Sequence, residues 1–458
     1  MKNPKIFLVL VLLSLVNISG LLAADWTNYT TANSGLISND VRAVCVDING
    51  VKWFGTAQGL VRFDGSSWNT FQVSDTTIQT LPHNSIRDIA FEVTSYGPEI
   101  WVATDSGITV ISVPLELDGI SMATPYRADN TGLVSNRVRT AAVDYKGKKW
   151  FATDSGLASF SGNWQTGWKA YTDTNSVNAL SNSNVLSVGM DTTGWKYIGT
   201  LGGGVSRLFD NKVDAVSSAS PYRAEWTGLL SDTIYAAYAT IANSDTIQWF
   251  GTTFGAARHL GTKSKENWEL FTTFEGLVND TVQVITADSL GRMWFGTRGG
   301  VTVLQNSIST SLTVTDGLID NDIRDIAFDQ DESVWFATPG GISHFTGQIS
   351  SIKPTVQNDR LSRTFKLNPS YPNPFNSTTT ISYELFTAGW INLKIYNLKG
   401  QAVTSLVNGI QPAGNYRIIW NGLSATGSEL PSGIYFYRLE RASARGAFSE
   451  IQKLVLLK

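Results

Sequence analysis

A short aromatic strand signature recurs seven times and constrains the fold more than any other feature. It reads Trp53-Phe54-Gly55-Thr56, Trp101-Val102-Ala103-Thr104, Trp150-Phe151-Ala152-Thr153, Tyr197-Ile198-Gly199-Thr200, Trp249-Phe250-Gly251-Thr252, Trp294-Phe295-Gly296-Thr297 and Trp335-Phe336-Ala337-Thr338. Successive copies lie 41 to 52 residues apart, a period that marks a propeller blade or a solenoid unit. Each unit opens with a turn such as Gly35 to Asp40 and enters a β-branched run such as Val41 to Val46, which reads as a strand. A hairpin turn follows, as at Asp47 to Gly50, Asp144 to Gly147, Asp191 to Gly194 and Asp288 to Gly291. The aromatic strand returns from it, a Gly-apolar start such as Gly59-Leu60 or Gly341-Ile342 opens a third strand, and a weaker fourth resembles Trp68 to Phe71.

Four antiparallel strands per unit without helical periodicity predict a seven-bladed β-propeller. The small Gly or Ala lets blades crowd near the axis, and the Trp fills the wedge further out. Asp25 to Tyr29 resembles a fourth strand yet precedes the first unit, while the seventh unit ends near Phe345 without one. Residues 25–30 are therefore expected to complete the last blade and remove two exposed sheet edges.

The units, over roughly residues 32–347, resemble the two-component regulator propeller repeats: Gly-Leu, then Asn with a β-branched residue, Asp-x-x-Gly, and Trp-x-Gly-Thr. That resemblance implies an extracytoplasmic propeller of the kind found in sensor halves of histidine kinases. No kinase sequence or second hydrophobic span follows here.

Residues 1–24 carry Lys2 and Lys5, an apolar core from Ile6 to Val16 and small residues ending at Ala23-Ala24, the pattern of a secretory signal peptide. No later stretch reaches the ~18 to 20 apolar residues of a membrane span. Cys45 is the only cysteine, which excludes an intramolecular disulfide and Cys-rich metal sites. The net charge of −3 gives no basic footprint for nucleic acid.

After Phe345 the repeat stops, and residues 348–363, with Pro354, read as a linker. Residues 364–458 then show strands at Thr379 to Leu385, Ile391 to Asn397, Tyr416 to Trp420, Gly433 to Leu439 and Ile451 to Leu457, which predicts a small Ig-like β-sandwich. The expected fold class is thus all-β, a seven-bladed propeller at 25–347 followed by that sandwich. The second part resembles the type A C-terminal sorting domain of the type IX secretion system, a relative of the Ig-like domain of flagellar hook-capping proteins. The residues carrying the resemblance are Tyr371, Pro372, Asn373, Pro374, Phe375 and Asn376, then Ile395 to Gln401 with Gly400, Ala413 to Tyr416, Pro431 to Tyr437 with Gly433, and Lys453 to Lys458. It implies export through the periplasm of a Gram-negative bacterium, recognition by the type IX machinery, and delivery to the outer surface or the medium. An Ig-like spacer or adhesion module is the alternative.

Only His83, His259 and His344 offer imidazole bases, in different units, and no phosphate loop, Cys-x-x-Cys or nucleophile elbow appears. The hairpin Asp residues sit in separate blades, whereas calcium needs six to eight converging oxygens, so neither metal nor cofactor is expected. One constellation stands out. The second residue of each first strand is Arg42, Arg87, Arg139, Leu186, Tyr235, Gln283 or Arg324. These should ring one mouth of the channel, joined by Gln58, Asp105, Asp154, Phe254 and Arg298 from the loops after the aromatic strands and by Asn39, Asn136 and Asn321. Arg forks suit carboxylate or sulfate groups, so an acidic polysaccharide or anionic partner fits; alternatively the Arg residues pair with Asp40, Asp88, Asp322 and Asp325. The sequence favours a secreted non-catalytic binding or adhesion protein. A polysaccharide lyase or glycosidase with a site assembled from several blades is the runner-up, and a sensor partner is a third reading.

Overall fold

The computed structural model describes residues 26–73, 81–95, 97–113, 121–122, 125–174, 180–209, 221–224, 227–242, 245–261, 267–273, 275–305, 308–347, 349, 365–385, 389–412, 414–443 and 446–457. The expected signal peptide, nearly all of the expected linker, and Lys458 lie outside these residues.

Among the described residues every element over 26–345 is a strand, arranged in seven antiparallel sheets. Blade 1 is Val41–Val46, Lys52–Thr56, Gly59–Phe63 and Trp68–Phe71. Blade 2 begins at Ile86–Thr94, blade 3 at Val138–Val143, blade 4 at Val185–Met190, blade 5 at Ala236–Ala242, blade 6 at Val282–Ala287 and blade 7 at Asp325–Phe328. Each of these inner strands touches the next, and the seventh touches the first, so the sheets close a ring. The fourth strand of blade 7 is Trp26–Tyr29, antiparallel to Gly341–Phe345. Among the described residues blade 4 shows three strands, extended by a bridge between Val205 and Tyr222.

The recurrent residues have separable physical reasons. In all seven units the signature Thr donates its hydroxyl to the Gly carbonyl that opens the third strand, from Thr56 to Gly59 (2.7 Å) through Thr338 to Gly341 (2.8 Å). A Cβ at Gly55, Gly199, Gly251 or Gly296 would stand 2.6 to 2.8 Å from Ile86, Ile234, Val282 or Ile323 of the next blade. Glycine there lets neighbouring inner strands approach. The large signature aromatics Trp53, Trp150, Tyr197, Trp249, Trp294 and Trp335 are almost wholly buried.

Residues 365–456 form a sandwich of two sheets. One contains Phe365–Leu367, Thr379–Leu385 and Gly414–Trp420; the other contains Ala402–Gln411, Gly389–Tyr396, Gly433–Ser443 and Gly446–Leu456. Alternate residues such as Ile381, Tyr383, Ile391, Leu393, Tyr437, Leu439 and Leu454 point between the sheets and make one core. The strand Ala402–Gln411 was not expected from the sequence, because its side chains are mostly exposed or half-buried and Gly409 interrupts the apolar run.

Candidate functional site

A backbone irregularity aims the residues at the mouth. In blades 1, 2, 3, 4 and 6 the register between inner and second strands slips between the first and third residues of the inner strand. Arg42, Arg87, Arg139, Leu186 and Gln283 are the extra residues, and such a bulge re-aims its side chain out of the ladder. Tyr235 and Arg324 stand just ahead of the inner strands of blades 5 and 7, their amides bonded to the carbonyls of Gly251 and Ala337.

Three of these side chains, Arg42, Gln283 and Arg324, link blades. Arg42 donates through Nε and Nη2 to Asp40 and through Nη1 to the Ser85 hydroxyl of blade 2 (2.7 Å). Arg324 of blade 7 reaches the other oxygen of the same Asp40 (2.6 Å) and lies 3.7 Å from Asp322. Gln283 of blade 6 donates to Asp322 and to the Ile323 carbonyl. Arg87 makes a bidentate pair with Asp105 (2.9 Å each), which Arg137 also approaches at 3.5 Å. Burial opposes ionisation of Asp105, but hydrogen bonds from Arg87 and Ser85 and the Arg87 and Arg137 charges hold its carboxyl below the usual range. The expected pairing with Asp88 and Asp325 is corrected: both carboxylates instead accept backbone amides, Asp88 from Ala141 of blade 3 and Asp325 from Val44 of blade 1. Each follows its Arg directly in the chain, Asp88 after Arg87 and Asp325 after Arg324, within reach of the adjacent inner strand.

Arg139 differs. It forms no side-chain hydrogen bond or ion pair among the described residues, and its buried Nε lacks a partner. Its charged form is disfavoured by burial and by the charges of Arg137 and Arg87, while Asp154 and Asp105 oppose that effect. Arg298 is exposed in the turn after the aromatic strand of blade 6, and Tyr235 is 38% exposed. Asn39, Asn136 and Asn321 use their side-chain oxygens to clasp the preceding loop, accepting amides from Thr31, Ala128 and Val314. Phe254, expected at the open mouth, is instead 8% exposed and covered by the C-terminal sandwich.

The hairpin aspartates have a role the sequence analysis missed. Asp47 and Asp144 each accept turn amides on one oxygen and the Trp53 or Trp150 indole N–H on the other (3.1 Å), and Asp288 does the same for Trp294 (2.8 Å). The constant six-residue separation of Asp and Trp is the signal that shows it. His83 accepts the Ser85 amide, His259 contacts Gln248, and His344 stacks on Trp335 at 3.9 Å. Among the described residues no group of three or more His, Cys, Asp or Glu converges, and no helix is long and apolar enough to cross a membrane.

In the sandwich the two ends of the expected sorting signal meet. Asn373 donates to the Lys453 carbonyl and accepts the Val455 amide (2.8 Å each), and the Phe375 amide donates to the Val455 carbonyl while its own carbonyl accepts the Leu457 amide. Phe375 enters the core at 2% exposure, whereas Tyr371 is 82% exposed. Gly400, at φ +75°, closes a turn in which Asn397 accepts the amides of Lys399 and Gln401. Gly433 opens a core strand.

Residues 370–456 match the family model described as the secretion system C-terminal sorting domain, and residues 276–299 match the two component regulator propeller. No curated protein matches the chain. Among solved structures, the extracellular domain of BT3049 from B. thetaiotaomicron, assigned to a hybrid two component system, is similar at 16% identity and TM-score 0.57. That likeness covers 94% of this chain and 57% of that one. PorZ of Porphyromonas gingivalis, a bacterial surface component of the type-IX secretion system, is similar at 18% identity and TM-score 0.53, over 94% of this chain and 61% of its own. The chain thus spans about three fifths of both structures, and at these identities the likeness concerns the fold. A propeller that carries this sorting domain is exported by the type IX route to the cell surface or the medium.

Proposed function

We propose that the exported propeller is a non-catalytic binding protein that captures an anionic partner, an acidic polysaccharide or an acidic protein surface, at the mouth formed by blades 2 and 3. The observation that carries this reading is Arg139. Its guanidinium sits beside Arg137 and Arg87 in a mouth where Arg42, Arg87 and Arg324 are already matched to aspartates. An arginine whose neighbouring carboxylates, Asp154 and Asp105, make no hydrogen bond or ion pair with it is relieved by an incoming one, and a planar fork binds carboxylate or sulfate through paired hydrogen bonds. Arg137, half exposed, supplies a second donor, and Asp154 with Asp105 sets the limits of the site.

The test is binding of the full-length secreted protein to a panel of neutral and anionic glycans, with polygalacturonate as probe and product analysis of every hit. The combined Arg137→Ala and Arg139→Ala variant should lose at least about tenfold in affinity for anionic glycans, since charge-assisted hydrogen bonds are each worth ~1.5 to 3 kcal/mol. Retained binding in that variant overturns the site, and release of shortened or unsaturated sugars overturns the non-catalytic reading in favour of an enzyme.

A further inference from the structure

One sheet of the sandwich carries an apolar patch on its outer face as well as on its core face, and that patch is not in solvent. Along Gly433–Ser443, Tyr435, Tyr437 and Leu439 point into the sandwich core, so Ile434, Phe436 and Arg438 point away from it. In Gly446–Leu456 the same alternation turns Ser449, Ile451 and Lys453 outward. Phe436 is nevertheless 1% exposed. It stacks on Phe254 of blade 5 with ring centroids 4.8 Å apart, in a cluster completed by Leu230, Ile434 and Ile451. Polar contacts surround the aromatic pair: the hydroxyls of Thr273 and Ser449 lie 3.1 Å apart, and Lys453 donates to the Ala224 carbonyl. A cavity of about 370 Å³ remains beside the stack, with Asp280 of the propeller facing Tyr396, Lys399 and Arg438 of the sandwich.

Phe254 lies in the turn after an aromatic strand, and Leu230 and Asp280 lie in the loops that enter blades 5 and 6. By the antiparallel path of each blade these are on the face that carries the arginine mouth. We propose that the sorting domain is a detachable cover over the blade 5 and 6 arc of that mouth, held chiefly by Phe436 on Phe254, so that the arc opens only when the sandwich leaves. This extends the proposed binding role, since the blade 2 and 3 arc stays open while the arc beyond blade 4 is occupied by the chain itself. The same docking turns Lys453 and the Gly400 turn toward the propeller, where a Cβ on Gly400 would stand 3.7 Å from the Phe254 ring. Handling of those sorting residues by the export machinery and uncovering of the arc are then one event.

The cover is tested without any glycan, in the full chain, with engineered thiols as reporters; native Cys45 is buried. Leu230→Cys lies under the cover, and Ser155→Cys lies on the open arc. A maleimide should label the first at least tenfold more slowly than the second. Adding Phe436→Asp should bring the two rates together, and so should Phe254→Ser, which acts from the propeller side if the first variant disturbs the sandwich. Equal labelling of both reporters in the otherwise unaltered chain overturns the cover, as does slow labelling at Leu230→Cys that persists with both docking variants. Loss of glycan binding in the Arg137 and Arg139 variant leaves these rates unaffected, so the two proposals fail separately.

Discussion

Three lysines act as latches between blades. Lys52, Lys149 and Lys196 each precede the signature aromatic, and each reaches back to the hairpin of the previous blade, to Asp329, Glu92 and Asp144. Each ammonium also lies over the Trp of that blade, 5.1 to 5.4 Å from Trp335, Trp101 or Trp150. Lys196 and Asp144 are the most enclosed pair, with side chains 0% and 1% exposed and 3.2 Å apart. Truncation to Ala removes the packing and strips a buried carboxylate of its counter-charge, so Lys196→Ala should destabilise the protein by ~3 kcal/mol in urea unfolding. Lys196→Met should cost less, because Asp144 keeps its Trp150 and turn-amide donors and a methionine, Met293, already occupies the equivalent slot of blade 6. An equal loss in both variants would show that charge rather than packing dominates. The separate ingredients of this device are visible in the sequence: the turn-forming Asp and the buried Trp. Their joining is not, since the partner of Lys196 lies one blade away, and no local pattern states which carboxylate a long side chain reaches. The mouth shows the same division: Asp40 is two residues from Arg42, whereas Asp105 reaches Arg87 only because the second strand returns beside it.

At the scale of elements, the residue that follows each mouth residue, Asp88 after Arg87, Thr140 after Arg139, Ser187 after Leu186 and Asp325 after Arg324, staples blades together. Asp88 and Asp325 accept amides from the next inner strand, Thr140 donates to the Leu186 carbonyl, and Ser187 donates to the Ile234 carbonyl. Burial raises both aspartate pKa values, and the Asp325 charge raises that of Asp88 further. Cys45, on the inner strand between them, is pushed up by burial and by the same two carboxylates. A carboxyl whose folded pKa exceeds its unfolded value of about 4 binds more protons when folded, so stability falls as pH rises from there through neutrality. The melting temperature should be roughly a few degrees lower at pH 8.5 than at pH 5.5, and Asp88→Asn with Asp325→Asn should flatten the dependence. A rise with pH would contradict the sign. In the sandwich, the segment from Tyr371 to Phe375 and the last strand hold each other through four hydrogen bonds. Removing Lys453 to Lys458 should therefore abolish surface delivery, measured by fractionation, while the propeller still melts cooperatively. Periodicity made most of these strands legible. The inner-strand bulge was not, because it changes register without changing composition, and it is the bulge that turns Arg42, Arg87 and Arg139 to the mouth.

The ring closes through contacts between chain segments some three hundred residues apart. Trp26–Tyr29 pairs along Gly341–Phe345, Trp26 packs on Phe345 at 4.8 Å, and Tyr29 stacks on Trp335 while also touching Phe63 and Trp68 of blade 1. Asn28 adds hydrogen bonds to the Gly317 carbonyl and the Ser343 hydroxyl. Across the same seam run Arg324 to Asp40, Lys52 to Asp329, Gln330 to the Ile48 carbonyl and the Val44 amide to Asp325. The seam thus has an outer seal, the first strand, and an inner seal of polar staples. If both are needed, Trp26→Ala should lower stability by ~3 kcal/mol, the scale of a lost core aromatic, and raise the rate of aggregation by baring the edge of Gly341–Phe345. Deleting residues 25–30 should do more than Trp26→Ala, because it removes Tyr29 from the blade 1 cluster as well. Calorimetry and light scattering on the three proteins check the order. A deletion with an unchanged melting curve would mean that the inner staples alone close the ring, and that the first strand serves only to cover an edge.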